Sequence, residues 1–452
     1  MERRGERGSW RAQVDARSGE LLSFADANRY AWVRGGVYPV TWSDQEESRP
    51  LPYVPLSDGR VSSLEGQLTA APPSDAVARL QGLLVEITNQ CVQPGVVPGA
   101  PSVAASLPGD FNFDLGPANP GDADCNTNGV GLSAGQHNTH AARSAYFHAT
   151  RAKDKDRRWL PDVAWLDGAH EVQVNLTSQC NAFWNGTLGI NGFYRQGFQG
   201  EVECFNTGEN AAIVIHEVGH GLDQHDAQGL SDRGTGEAYA DVHALLELRD
   251  SCLGRGFLDR DCGGFGLPCT DCTGARELDW AKHQTTDGEP WTEPLTPANY
   301  TGVFCPDDTF FPAGPCGKQV HCESHPATGA IWDLAVRHLA PEIDLASAWA
   351  IVERDWYLGM QAATSMFSCD LETFESNGCA ATSWFHALLA ADDDDGDLTN
   401  GTPHAAQIFA AFDAHQRLSP VQSLPGSLRP PGRPAPLAIS APSCIKAWPS
   451  RT

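Results

Sequence analysis

The sequence predicts an α+β protein in two lobes, a β-rich N-terminal lobe ending in a central helix and a mainly helical C-terminal lobe. Three observations predict it. Residues 36–75 and 92–125 are rich in Gly, Pro and Ser around short apolar pieces, the pattern of loop-connected strands. Residues 171–193 carry β-formers broken at Asn-Gly and Gly-Thr, as sheet edges and turns do. After residue 226 the apolar spacing becomes helical, at 236–249, 326–339, 345–366 and 403–416, with cysteine-bearing loops between. At 452 residues the chain is too long for one ordinary core. The expected division is an N-terminal piece over 1–35, the β-rich lobe over 36–225, the helical lobe over 226–424 and an extended tail over 425–452.

Taken in order, Trp10, Ala12 and Val14 alternate with polar residues, Asp15 to Gly19 make a turn, and Leu21 to Phe24 return, which predicts a hairpin. A lone hairpin is marginal in water, so its partner strands are expected upstream. Residues 137–151 are helical by content. Thr402 and Pro403 are placed as N-cap and first residue of the last helix.

Composition narrows the function. With 57 acidic against 31 basic residues, a formal charge of -26 repels phosphate backbones and excludes nucleic acid as a natural partner. No stretch reaches the roughly 18 apolar residues of a membrane span. Fourteen cysteines, clustered among Gly, Pro, Asp and Thr, predict disulfide-bonded loops and a secreted, extracellular protein. Cys262, Cys269 and Cys272 could instead bind a structural zinc, but one CxxC without a second pair is a poor match to such sites.

The chemistry concentrates in residues 211–225. Ile213, Val214, Val218 and Leu222 form an apolar stripe, while His216 and His220 stand one helical turn apart. Two imidazoles at i and i+4 point the same way and can bite one tetrahedral metal. Glu217, beside them, is placed to take a proton from a water attacking a carbonyl. A catalytic site needs a third protein ligand. Glu237 supplies it on a second helix, where Asp241 on the same face can accept the other ring N–H of a ligand histidine. The competing candidate is Asp226, ten residues after His216, but that spacing calls for a turn glycine where this chain has Asp223, and His225 is one residue out of register. His321, just before another helix, could stabilise a developing oxyanion. Asp393, Asp395 and Asp397 offer carboxylates to Ca2+, although their spacing is not that of an EF-hand loop.

HEVGH over 216–220 followed by GEAYAD over 236–241 resembles the gluzincin zinc metallopeptidases, thermolysin-like and fungalysin-like. Residues 180–193 resemble the edge strand with which that family binds substrate backbone, which implies Asn181 and Ala182 as substrate-binding. The VH at 320–321 resembles the family's transition-state histidine segment, which implies His321, with His325 as the fallback. Residues 9–24 resemble the closing hairpin of the family's propeptide. The chain is therefore expected to be the downstream part of a longer precursor, with the propeptide as inhibitor or folding aid. The resemblance implies a two-lobed zincin with Zn2+ held by His216, His220 and Glu237 in a cleft, hydrolysing internal bonds of polypeptide substrates. Two departures stand out: no tyrosine lies between Gly221 and Gly236, and the block from Cys252 to Cys322 looks like an insertion. The rivals are a zinc-stabilised secreted binding module, which would not need Glu217, and a gluzincin aminopeptidase, whose GxMEN-like stretch is missing from the sequence.

Overall fold

A computed structural model of the chain describes residues 2–5, 8–26, 31–70, 72–91, 97–105, 110–113, 137–177, 180–260, 267–308, 314–416 and 418. The expected tail, Cys262 and much of 92–125 lie outside the described residues. Helices and strands are mixed, as an α+β protein requires. The chain resolves into two compact units, Met1–Lys155 with Trp165–Val214, and Asp156–Ala164 with Ile215–Thr452.

In the first unit, β1 (Glu2–Gly5), β2 (Gly8–Val14) and β3 (Leu21–Asp26) form an antiparallel sheet in that order. The β2–β3 pair is the expected hairpin. Its turn is held by the Asp15 carboxylate, which accepts the Arg17 and Ser18 N–H groups at 2.8 and 2.7 Å, and Gly19 supplies the positive φ. The third strand, β1, is a partner inside the chain, where the sequence reading looked for partners upstream.

Next, β4 (Ala31–Val37) pairs with β5 (Glu47–Pro50) and β6 (Gln67–Leu68), while β7 (Val77–Arg79), β8 (Val85–Asn89), β9 (Ser102–Ala104) and β10 (Phe111–Asn112) follow. The larger sheet runs β12-β13-β11-β8, with β11 (His170–Leu176) parallel to β8 and to β13 (Ile190–Tyr194) and β12 (Ala182–Asn185) antiparallel at the edge. Alternation buries Val85, Ile87, Val172 and Val174 on one face. Before β11 comes α1 (His140–Trp159), whose buried Arg143 donates to Gly36 O at 2.7 Å and to Glu46 Oε1 at 2.6 Å. The β14 (Gly197–Gln199) and β15 (Val202–Cys204) hairpin is tied to the start of β12 by the Cys180–Cys204 disulfide.

Helix α2 (Ala211–His225) begins in the first unit, where the Asn210 side chain accepts the Ile213 N–H at 3.2 Å, and continues into the second. The second unit holds α3 (Arg233–Leu248), a hairpin of β16 (Cys252–Leu253) and β17 (Arg276–Glu277), α4 (Val320–Glu323), α5 (His325–Asp333), α6 (Leu345–Gly359), α7 (Trp384–Asp392) and α8 (Ala405–Gln416). Trp356, Trp384, Leu388, Ile408 and Phe412 form its core. The helix expected over 326–339 is α-helical only to Asp333 and continues as a π stretch to Leu339. The last helix starts at Ala405, because the Thr402 hydroxyl donates to Asp392 at 2.7 Å instead of capping it. No sequence expectation covered α7.

Disulfides join Cys180–Cys204, Cys252–Cys272, Cys305–Cys322 and Cys316–Cys369, and Cys91, Cys269 and Cys379 are bonded as well. With Cys269 and Cys272 both in disulfides, the structural-zinc alternative for that CxxC is removed. No helix among the described residues is long and apolar enough to cross a membrane.

Candidate metal centre

Two helices of the second unit build the centre. Val218 and Leu222 of α2 are fully buried, which fixes the helix's rotation and so the direction of His216 and His220. Asp232 caps α3 by accepting the Thr235 N–H at 3.0 Å and the Thr235 hydroxyl at 2.8 Å. The helices cross closely at Gly219, where a Cβ would lie 2.9 Å from Ala240 Cα and 3.1 Å from His243 Cβ. A larger residue there would force the axes apart. His243 locks the same crossing by contacting Ile215 O at 3.0 Å and Asp156 Oδ1 at 2.9 Å.

Across this crossing the ligand atoms converge. His216 Nε2 and His220 Nε2 are 3.1 Å apart, and Glu237 places Oε2 3.4 Å from the first and Oε1 3.6 Å from the second. Donors about 2.0–2.1 Å from a tetrahedral zinc stand about 3.3–3.4 Å from one another. The observed spacings bracket that value. Glu237 Oε2 is buried with no hydrogen-bond partner among the described residues, which suits an oxygen that would hold a cation. Two imidazoles and one carboxylate are a donor set that suits zinc and leaves a fourth tetrahedral position open.

Around the ligands, Asp241 Oδ1 lies 2.9 Å from His216 Nδ1, although the contact is out of line for a hydrogen bond. Arg276, 7% exposed, donates through Nε to Asp241 Oδ2 at 2.9 Å and through Nη2 to Oδ1. Its Nη2 is 3.8 Å from Glu237 Oε2, and the Ser324 hydroxyl donates to Asp241 at 3.3 Å. His321 Nε2 lies 3.4 Å from Glu237 Oε1 with its side chain 36% exposed.

These contacts set the charges. Burial opposes a charge on Asp241, but Arg276 and His216 outweigh it and bring the carboxyl down to about 2. Burial likewise works against His216, yet Asp241 and Glu237 hold it up at about 10, while His220 is pushed by burial down to about 4. Burial raises Glu217, 6% exposed, to about 7. A carboxylate poised there is suited to proton transfer near neutrality.

The structure therefore brings His216, Glu217, His220, Glu237, Asp241 and His321 into one unit. Asp226 is outside the cluster, its Oδ1 accepting the Gln228 and Gly229 N–H groups at 3.1 Å each as the helix ends. His325 is buried beside Tyr300 and His283, with Nδ1 3.1 Å from Cys322 O, so His321 and not its fallback faces Glu237. Asn181 and Ala182 belong to the first unit: Ala182 opens β12 and Asn181 O accepts from the Thr207 hydroxyl at 3.2 Å. In the acidic run it is Asp393, Asp394 and Asp395 that cluster, and their carboxylates serve a turn, Asp393 and Asp395 accepting the N–H groups of Asp395 and Asp397. Arg276, Gln319 and Ser324 were missed from sequence, since nothing in their local spacing announces them. No model of a known protein family matches the chain, and no curated protein matches it either.

Proposed function

We infer that the protein is a secreted zinc-dependent endopeptidase of the gluzincin type, with Zn2+ held by His216, His220 and Glu237. The observation that carries this reading is the convergence of three ligand atoms from two helices at tetrahedral spacing, with the buried carboxyl of Glu217 on the same turn of α2. Zinc in such a site supplies Lewis acidity, polarising a carbonyl and making water more acidic. Glu217 takes the proton of the attacking water and later returns it to the leaving amine. His321 offers Nε2 to the developing oxyanion. Asp241, held by Arg276, keeps His216 turned toward the metal. The substrate class this reading takes is a polypeptide, and the family resemblance implies Asn181 and Ala182 as the residues that bind its backbone.

Glu217 is what a zinc-stabilised binding module would not need, since a structural site has no use for a buried base. The test is incubation of the zinc-loaded protein with a mixed peptide library and mass spectrometry of the products. Internal cuts are expected, and Glu217→Gln, which preserves shape but accepts no proton, should keep zinc and lose activity by several orders of magnitude. A variant cutting as fast as wild type would reduce any zinc to a structural role, and trimming from the N-terminus alone would replace endopeptidase by aminopeptidase.

A further inference from the structure

The residue that caps α4 is a glutamine, although Ser, Thr, Asp and Asn are the residues that usually cap helices. Gln319 Oε1 accepts the Cys322 N–H at 3.0 Å, and Gln319 Nε2 lies 2.6 Å from His321 Nδ1. The two contacts together determine a proton. A backbone N–H can only donate, so the amide edge facing Cys322 is the oxygen, and the edge facing His321 is the NH2. An NH2 can only donate in turn, so Nδ1 is the lone-pair nitrogen and the ring proton sits on Nε2, the atom 3.4 Å from Glu237 Oε1. Cys322 is itself fully buried and bonded to Cys305, so the N–H that orients the amide is fixed by a disulfide. Shorter capping residues would leave His321 Nδ1 without this donor.

We propose that Gln319 is a positioning residue that sets the tautomer of His321, presenting Nε2–H to the metal centre through an amide clamped between the Cys322 N–H and the imidazole. Its role in turnover rests on the peptidase reading above; the tautomer itself does not.

The experiment uses the full chain labelled with 15N-histidine, first metal-free and then zinc-loaded, with the His321 resonances assigned by their loss in His321→Ala. Long-range proton–nitrogen correlations should show Nδ1 as a lone-pair nitrogen and the proton on Nε2. In Gln319→Glu, which keeps shape and the capping oxygen but removes the donor, the proton should appear on Nδ1 while the melting temperature is unchanged. A proton on Nδ1 in the wild type, or an unaltered pattern in Gln319→Glu, overturns the proposal whether or not the protein cuts peptides. In turnover, Gln319→Met should lower kcat about tenfold with KM unchanged, and should cost nothing further in a His321→Ala background. An equal loss in both backgrounds would mean that Gln319 does not act through His321. Absence of turnover in the wild type would sink the peptidase reading and leave the nitrogen measurement intact.

Discussion

The α2–α3 pair and the cysteine-rich stretch from Cys252 to Cys322 contribute to one centre by different means. In the helix pair, the 3.6-residue period puts His216 and His220 on one face and Glu237 and Asp241 on another, and Gly219 lets the faces meet. In the cysteine-rich stretch, Arg276 sits on a two-residue strand, Gln319 caps a single helical turn and His321 lies within it, with Cys252–Cys272 and Cys305–Cys322 closing the loops. Helical periodicity thus supplies the proposed metal ligands, and disulfide-closed loops supply the groups around them. The two histidines need a spacing that one helix can guarantee, whereas a buried cation or a proton donor needs only to arrive, by whatever route the chain allows. What looked in the sequence like an inserted block therefore brings the cation that holds Asp241.

Removing a ligand from the helix pair should have the largest effect. Glu237→Ala is expected to weaken zinc binding by more than about 100-fold, beyond what loss of an outer partner does. If that variant held full zinc by metal analysis while Asp226→Ala lost it, the ligand set would be wrong. On the other side of the comparison, His321→Ala should leave zinc content unchanged and slow hydrolysis about 10²- to 10³-fold, as loss of one oxyanion donor does. Loss of zinc in that variant would move His321 from the surrounding groups to the ligands.

The link between the two regions is Asp241. Asp241→Ala should weaken zinc affinity by about 10- to 100-fold, read as a dissociation constant by chelator competition. An unchanged constant would mean that Arg276 and Asp241 only fill space. The smallest effect concerns stability and pH. Glu323, fully buried after His321, lies so close to the first turn of α3 that a Cβ on Gly234 would be 2.3 Å from its Oε1. Burial raises its carboxyl to about 8. Because the folded state holds that proton more tightly, the stabilisation is full below the ordinary value of 4.5 and is lost as pH rises through 8. Wild type should therefore lose stability relative to Glu323→Gln between pH 5 and pH 9, by on the order of a few kcal/mol at most in denaturant titrations. A difference that stays flat with pH would show that the carboxyl does not titrate against the fold.

The amino-acid sequence by itself determined the N-terminal hairpin, the mixed α+β character, the stripe of Val214, Val218 and Leu222, and the same-face pairing of His216 with His220. These follow from side-chain periods of two and 3.6 residues and from turn residues such as Asp15 and Gly19, all of which act within a few residues of themselves. The sequence favoured Glu237 over Asp226 as the residue facing the histidines, and the tertiary structure brings Glu237 there, since that depends on where α3 crosses α2. Tertiary structure also decided that His321 and not His325 stands beside Glu237, and that Arg276, 35 residues from Asp241, neutralises it. Those contacts join chain segments whose separation is closed by disulfides and by burial in a shared core, and nothing in the local order of residues records which distant partner a side chain will meet.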